Sequence, residues 1–275
     1  MNGPIAQLVA ITLHGNGILS GSPAAADFLR ANTTAQFCET VRFVRFEKAW
    51  FGLGKETEVQ IADTPDQWFC YLKERGAERL MIRWQESRDT KTPDRMLAGF
   101  VGGGGVWTLN IRFMDGHCER WMAKWAVGDQ KRPDRRIWWV TYACVSTGSE
   151  APAAVVSEEN ARATLKTALT EIQAFSLRMK CDTFTQSFER GLKALAHEPN
   201  ADVYHQDLWP AKLLPSEAED LLIACQYAWV FGGMGSWNDM GFDGADGKEY
   251  ERVSEQLFRA VTAAIPSAVE CTGKR

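Results

Sequence analysis

The residues best equipped for chemistry lie in one stretch, Phe231 to Asp246, which reads FGGMGSWNDMGFDGAD and joins two strongly helical segments. Helix, acidic glycine-rich loop and helix is the layout of a calcium-binding EF-hand. With Asp239 at the first ligand position, Asp243 and Gly244 fall on the fifth and sixth. The third position is then Gly241, which has no ligand atom, and the twelfth is Tyr250 where a bidentate glutamate is required. A phosphate cradle needs a lysine after its glycines and a strand before them, and this loop has neither. A nucleophile elbow needs glycine two residues after serine, and Ser236 is followed there by Asn238. The stretch therefore predicts no metal and no cofactor.

What remains is recognition by shape and hydrogen bonding. Gly233 and Gly235 permit unusual backbone torsions, Trp237 offers a large amphipathic ring, and Ser236, Asn238 and Asp239 supply directional polar contacts. Partner-binding loops favour this mixture. The alternative is a scaffold role, with Trp237 tucked inward and Asn238 or Asp239 capping a turn.

Two other features bear on a site. Gly102 to Gly105 form a tetraglycine ahead of Trp107, which predicts a bulge, a close backbone approach or the rim of a ligand cleft. His14 stands in a His14-Gly15-Asn16-Gly17 run that reads as a turn, where it could face a cleft with Cys38 or Cys118 as a nucleophile. The other histidines, His117, His197 and His205, lie near predicted turns or helix ends, and no two histidines have metal-ligand spacing. The tripeptide Pro-Asp-Arg occurs at residues 93–95 and 133–135, and turn chemistry accounts for both.

Of eleven tryptophans, eight precede residue 140: Trp50, Trp68, Trp84, Trp107, Trp121, Trp125, Trp138 and Trp139. Such density calls for a thick core in the first half. The seven cysteines are odd in number and never spaced Cys-x-x-Cys, so they read as reduced, small apolar residues in a cytoplasmic protein. The apolar N-terminal run is too short to cross a bilayer, and no other stretch approaches that length. Residues 1–149 carry a net +3 and residues 150–275 a net −7. That asymmetry favours docking of the halves on each other or a cationic partner, and it disfavours nucleic acid.

The elements follow from periodicity. Ile5 to Leu13 is predicted as a buried strand, Pro23 to Arg30 as a short helix and Val41 to Phe46 as a strand. Thr64-Pro65-Asp66-Gln67 opens a helix stopped by Gly76, and Arg79 to Trp84 is again a strand. Three period-two runs then predict an antiparallel meander. One face takes Trp107, Leu109, Ile111 and Phe113, then Trp121, Ala123, Trp125 and Val127, then Ile137, Trp139, Thr141 and Ala143. The other takes Arg112, Arg120, Lys124, Arg136, Trp138 and Tyr142, a cationic aromatic surface of the kind that binds single-stranded RNA. After a linker between about Ser146 and Ser157, four apolar stripes predict helices. The third of them starts with a Ser216 to Glu219 capping box, and the fourth closes at Pro266.

The fold expected is thus α+β, with an antiparallel tryptophan-rich sheet subdomain over residues 1–148 and a mostly helical subdomain over 149–275 carrying the glycine-rich loop 231–246. The function expected is non-catalytic interaction with another protein through the acidic helical half and the loop, as an accessory or inhibitor protein. An enzyme or small-ligand site between the halves, lined by His14, the tetraglycine 102–105 and the loop, is the alternative. RNA binding by the cationic sheet face ranks below both.

Overall fold

The computed structural model describes residues 1, 3–22, 27–47, 57–88, 91–149, 151–199 and 202–272. Trp50, and the Pro23 start of the short predicted helix, lie outside them. The described elements are α1 (Gly3–Leu19), α2 (Phe28–Ala31), β1 (Cys38–Glu47), β2 (Thr57–Ala62), α3 (Pro65–Glu74), β3 (Ala77–Gln85), α4 (Asp94–Leu97), β4 (Val106–Phe113), β5 (Cys118–Val127), β6 (Trp138–Gly148), α5 (Glu158–Arg178), α6 (Asp182–Leu195), α7 (Ser216–Ala228) and α8 (Gly244–Val269). The fold is α+β. Its six strands form one sheet in the order β2-β1-β6-β5-β4-β3. The meander from β3 to β6 is antiparallel, but β1 joins β6 in parallel, so the sheet is mixed and not wholly antiparallel.

The largest departure from the sequence reading is α1. Residues 5–13 are helical and His14 to Gly17 continue the helix. Twelve of its seventeen residues are buried, so the helix is apolar on every side and its periodicity cannot be told from that of an interior strand. The glycines serve approach instead of turning. A Cβ on Gly15 would lie 2.7 Å from Leu80 Cδ2, and one on Gly17 would lie 3.1 Å from Pro210 Cγ. Between them Asn16 Nδ2 donates to the Leu80 carbonyl (2.9 Å), and the Leu80 N–H donates to Asn16 Oδ1 (2.8 Å). Strand β3 is a sheet edge, whose outward N–H and C=O groups would otherwise be open to pairing with another chain. Replacing Asn16 with leucine strands both Leu80 groups and is expected to cost about 3 kcal/mol. Urea denaturation would measure that loss, and light scattering would report self-association through the uncovered edge.

The core side of the sheet presents Val41, Phe43, Leu80, Ile82, Leu109, Ile111, Trp121, Val140 and Tyr142, all buried. Phe43 is stacked between Trp68 of α3 (4.2 Å) and Tyr142 (5.2 Å). In β6 the predicted phase is inverted. Ala123 pairs with Tyr142 and Trp125 with Val140, so Trp138, Val140 and Tyr142 share the core side with Trp121, while Trp139 and Thr141 face away. The irregularity in register between Arg120 and Trp121 lies beyond this run, and indoles at both 138 and 139 let a period-two reading take either phase.

Helices α5 to α8 pack on one another, and α8 also meets β3. One cluster of buried side chains runs through both halves. Arg83 pairs with Glu270 at 2.5 Å and Arg95 pairs with Glu251, so the basic first half does dock on the acidic second. Two helix ends differ from expectation. Pro215 is the cap residue of α7 and the Ser216 hydroxyl bonds Glu217, so no capping box forms. Pro266 lies inside α8, which continues to Val269. No helix among the described residues is long and apolar enough to cross a membrane.

Candidate functional site

The loop ahead of α8 does not offer its indole to solvent. Trp237 is completely buried, and its ring meets Phe184 (5.1 Å), Tyr250 (5.4 Å), Phe188 (5.5 Å) and Phe175 (6.2 Å) from three helices. Its Nε1 donates to Ser254 Oγ at 2.7 Å, and the Tyr250 hydroxyl donates to its carbonyl at 2.6 Å. Asn238 Nδ2 donates to the Arg95 carbonyl (2.8 Å), Asp239 accepts from the Gly235 N–H, and Ser236 Oγ donates to the Gly232 carbonyl. The expectation of Trp237 as an exposed contact is therefore corrected. A ring with four aromatic neighbours within reach gains more from burial than from solvent, and the adjacent polar groups satisfy the backbone around it. Gly233, Met234 and Gly235 form the exposed tip.

The tetraglycine is held by close packing. A Cβ on Gly103 would lie 2.2 Å from the Leu97 carbonyl oxygen, and one on Gly105 would lie 2.2 Å from Trp84 Nε1, which itself donates to the Gly104 carbonyl. Gly102, Gly104 and Gly105 all have φ near +85°, a region that favours glycine. Just upstream, a Cβ on Gly99 would meet the Gly232 carbonyl carbon at 2.2 Å. The segment just ahead of the tetraglycine thus touches the loop backbone to backbone, but among the described residues the hollow lined by the tetraglycine has no wall from residues 231–246. His14 does not join them. Its Nε2 donates to the Asp207 carbonyl at 3.0 Å, and the residue lines a separate hollow with Phe28, Asp66 and Pro210. Neither candidate nucleophile, Cys38 or Cys118, lines that hollow, and Cys38 Sγ accepts from Gln7.

Where the tetraglycine segment meets the amino end of α1, two apolar hollows of about 130 Å³ and about 280 Å³ adjoin, sharing Pro4, Phe100 and Trp125 as walls. Ile5, Leu8, Gly102, Gly103, Gly105, Val106, Trp107, Met122 and Ala123 complete the first, while Gly3, Thr34, Phe37, Cys38, Gly99, Val101 and Trp138 complete the second. Phe37, Phe100 and Val101 are exposed at 45%, 64% and 48%. Large apolar side chains therefore stand exposed around an apolar recess. The tetraglycine was the sequence signal for this place. Pro4, Phe37 and Trp125 come to it from distant segments and carried none.

The chemistry of the walls is narrow. Among the described residues they carry no charged side chain. Cys38 is the one thiol, and burial pushes it up to about 11, so it remains protonated at neutral pH. The indole N–H groups of Trp107 and Trp125 are buried and without a hydrogen-bond partner in the protein. Elsewhere, the expected cationic sheet face keeps Arg120 and Lys124 exposed, but Arg112 is paired with Glu78, and Tyr142 and Trp138 belong to the core side. No group of three or more His, Cys, Asp or Glu among the described residues could hold a metal ion. Comparison with protein families, with curated proteins and with solved structures finds no match, so the geometry of the chain itself carries the functional reading.

Proposed function

We propose that this protein is a non-catalytic binding protein that takes a small, uncharged apolar ligand into the paired hollows at the amino end of α1. The observation that supports it is an apolar, largely aromatic recess with no charged side chain among its described walls and with Phe37, Phe100 and Val101 exposed around it. Small-ligand sites span roughly 300–1,000 Å³ and combine apolar walls with few polar groups, a description these hollows meet together. An uncharged lining with a protonated thiol favours retention of a ligand over its conversion.

The test uses a neutral fluorescent naphthylamine, N-phenyl-1-naphthylamine, titrated into the protein while tryptophan emission is followed, since Trp107, Trp125 and Trp138 line the site. Saturable one-site binding is expected. Ala123 is exposed and opens on the first hollow. Ala123→Phe should fill that space and weaken binding about tenfold or more, with an unchanged melting temperature. Absence of saturable binding, or full affinity in the variant, would remove the assignment.

A further inference from the structure

The opposite end of α1 opens on a second hollow of about 100 Å³, lined by His14, Ile18, Ser22, Phe28, Asp66, Phe69 and Pro210. We infer that it is a site for a small organic ammonium ion, bound by the Asp66 carboxylate and His14 within an aromatic lining of Phe28 and Phe69.

The polar groups of the lining settle the charge. A carbonyl only accepts, so His14 carries its proton on Nε2, which faces the Asp207 carbonyl, and Nδ1 is left as an acceptor. Asp66 Oδ2 accepts from the Phe28 N–H at 3.0 Å, and no lysine or arginine is among the described residues of the lining. Beside Ser22, whose hydroxyl can act either way, the hollow thus offers a carboxylate and an imidazole lone pair with no cation opposite them. Two further observations agree. Burial holds the Asp66 carboxyl above its ordinary range, against the Phe28 N–H that lowers it, and nearby Asp27 adds to the rise. Phe28 and Phe69 stand edge to face at 6.3 Å, and His14 meets Phe28 at 5.2 Å, giving aromatic walls of the kind that attract ammonium groups. The small volume limits the guest to an alkylammonium of a few heavy atoms.

Methylammonium chloride is the probe, titrated at constant ionic strength against sodium chloride while the ring resonances of His14 are followed by NMR. A saturable shift is expected with methylammonium and not with sodium. Asp66→Asn keeps an oxygen for the Phe28 N–H but removes the charge, and should weaken binding about tenfold or more. Ser22→Lys, at the loop end of the helix, should supply a tethered ammonium and abolish binding of the free ion. No saturable shift, an equal shift with sodium, or wild-type affinity in Asp66→Asn would each overturn the assignment. Because this hollow shares no lining residue with the apolar one, either site can fail without the other.

Discussion

Replacement of Trp237 by alanine is expected to lower the free energy of unfolding by about 4 kcal/mol, the range seen when a fully buried indole is truncated. Its ring joins Phe175 of α5, Phe184 and Phe188 of α6, and Tyr250 of α8, so one side chain contributed by a loop closes the space among three helices. Truncation removes the apolar contacts, leaves a cavity that helices cannot fully collapse into, and strands the Ser254 hydroxyl that receives the indole proton. Trp237→Phe keeps most of the ring and should cost about 1–2 kcal/mol, chiefly through the lost hydrogen bond. Trp139→Ala is the control, because that indole is 48% exposed and lies outside the core. Urea midpoints for the three variants test the ranking. A Trp237→Ala midpoint equal to that of wild type would mean the ring lies in solvent after all.

The second large effect is expected at Glu119. Its carboxylate is fully buried and accepts from Arg45 and from Arg75 (2.7 Å) on Oε1, and from Trp121 Nε1 (3.0 Å) on Oε2. Burial alone would raise its pKa, but the hydrogen bonds and charges of Arg45 and Arg75 outweigh burial and hold the group below the usual glutamate value. A depressed carboxyl contributes stability that is present above its unfolded pKa and is lost as pH falls through the folded one. Glu119→Gln leaves two guanidinium groups facing an uncharged amide and should cost about 3 kcal/mol at neutral pH. The difference from wild type should shrink below about pH 4.5, where the unfolded carboxyl takes up its proton. A separate acid limb belongs to His205, which burial pushes down to about 4. Between its ordinary value and that one, the unfolded chain binds a proton that the folded chain refuses, so stability falls as pH drops, by roughly 3 kcal/mol in all. That limb should appear equally in wild type and Glu119→Gln. Parallel urea titrations at several pH values separate the two, and a constant gap down to pH 3 would contradict the ion cluster at Glu119.

Much of the architecture was legible because local signals agreed with tertiary demands. Thr64 does cap α3, accepting from the Gln67 N–H, and Pro65 opens that helix. The β4 to β6 meander and the apolar stripes of the last four helices follow the same logic. The failure at α1 has a plain cause, which is that burial on all sides erases amphipathic contrast. In α1, the polar residues Gln7, Thr12 and Asn16 look like interruptions until their partners Thr34, Leu8 and Leu80 are known, and two of those are distant in sequence. Small residues can turn a chain or admit a neighbour, so Gly15 and Gly17 read as a turn although they make room for Leu80 and Pro210. The apolar recess was legible at the tetraglycine alone. Its aromatic walls come from segments that local periodicity cannot bring together. Trp237 was ambiguous in the same way, since an indole beside glycines suits a plug as well as a contact.

The bonds of α1 also say something about how the chain acquires its form. Asn16 waits 64 residues for Leu80, and His14 waits 193 for Asp207. A helix greasy on every flank thus leaves the ribosome long before its berth exists. High contact order of this kind slows folding. During synthesis it also lengthens the interval in which an unclaimed apolar segment invites capture by chaperones or by neighbouring nascent chains.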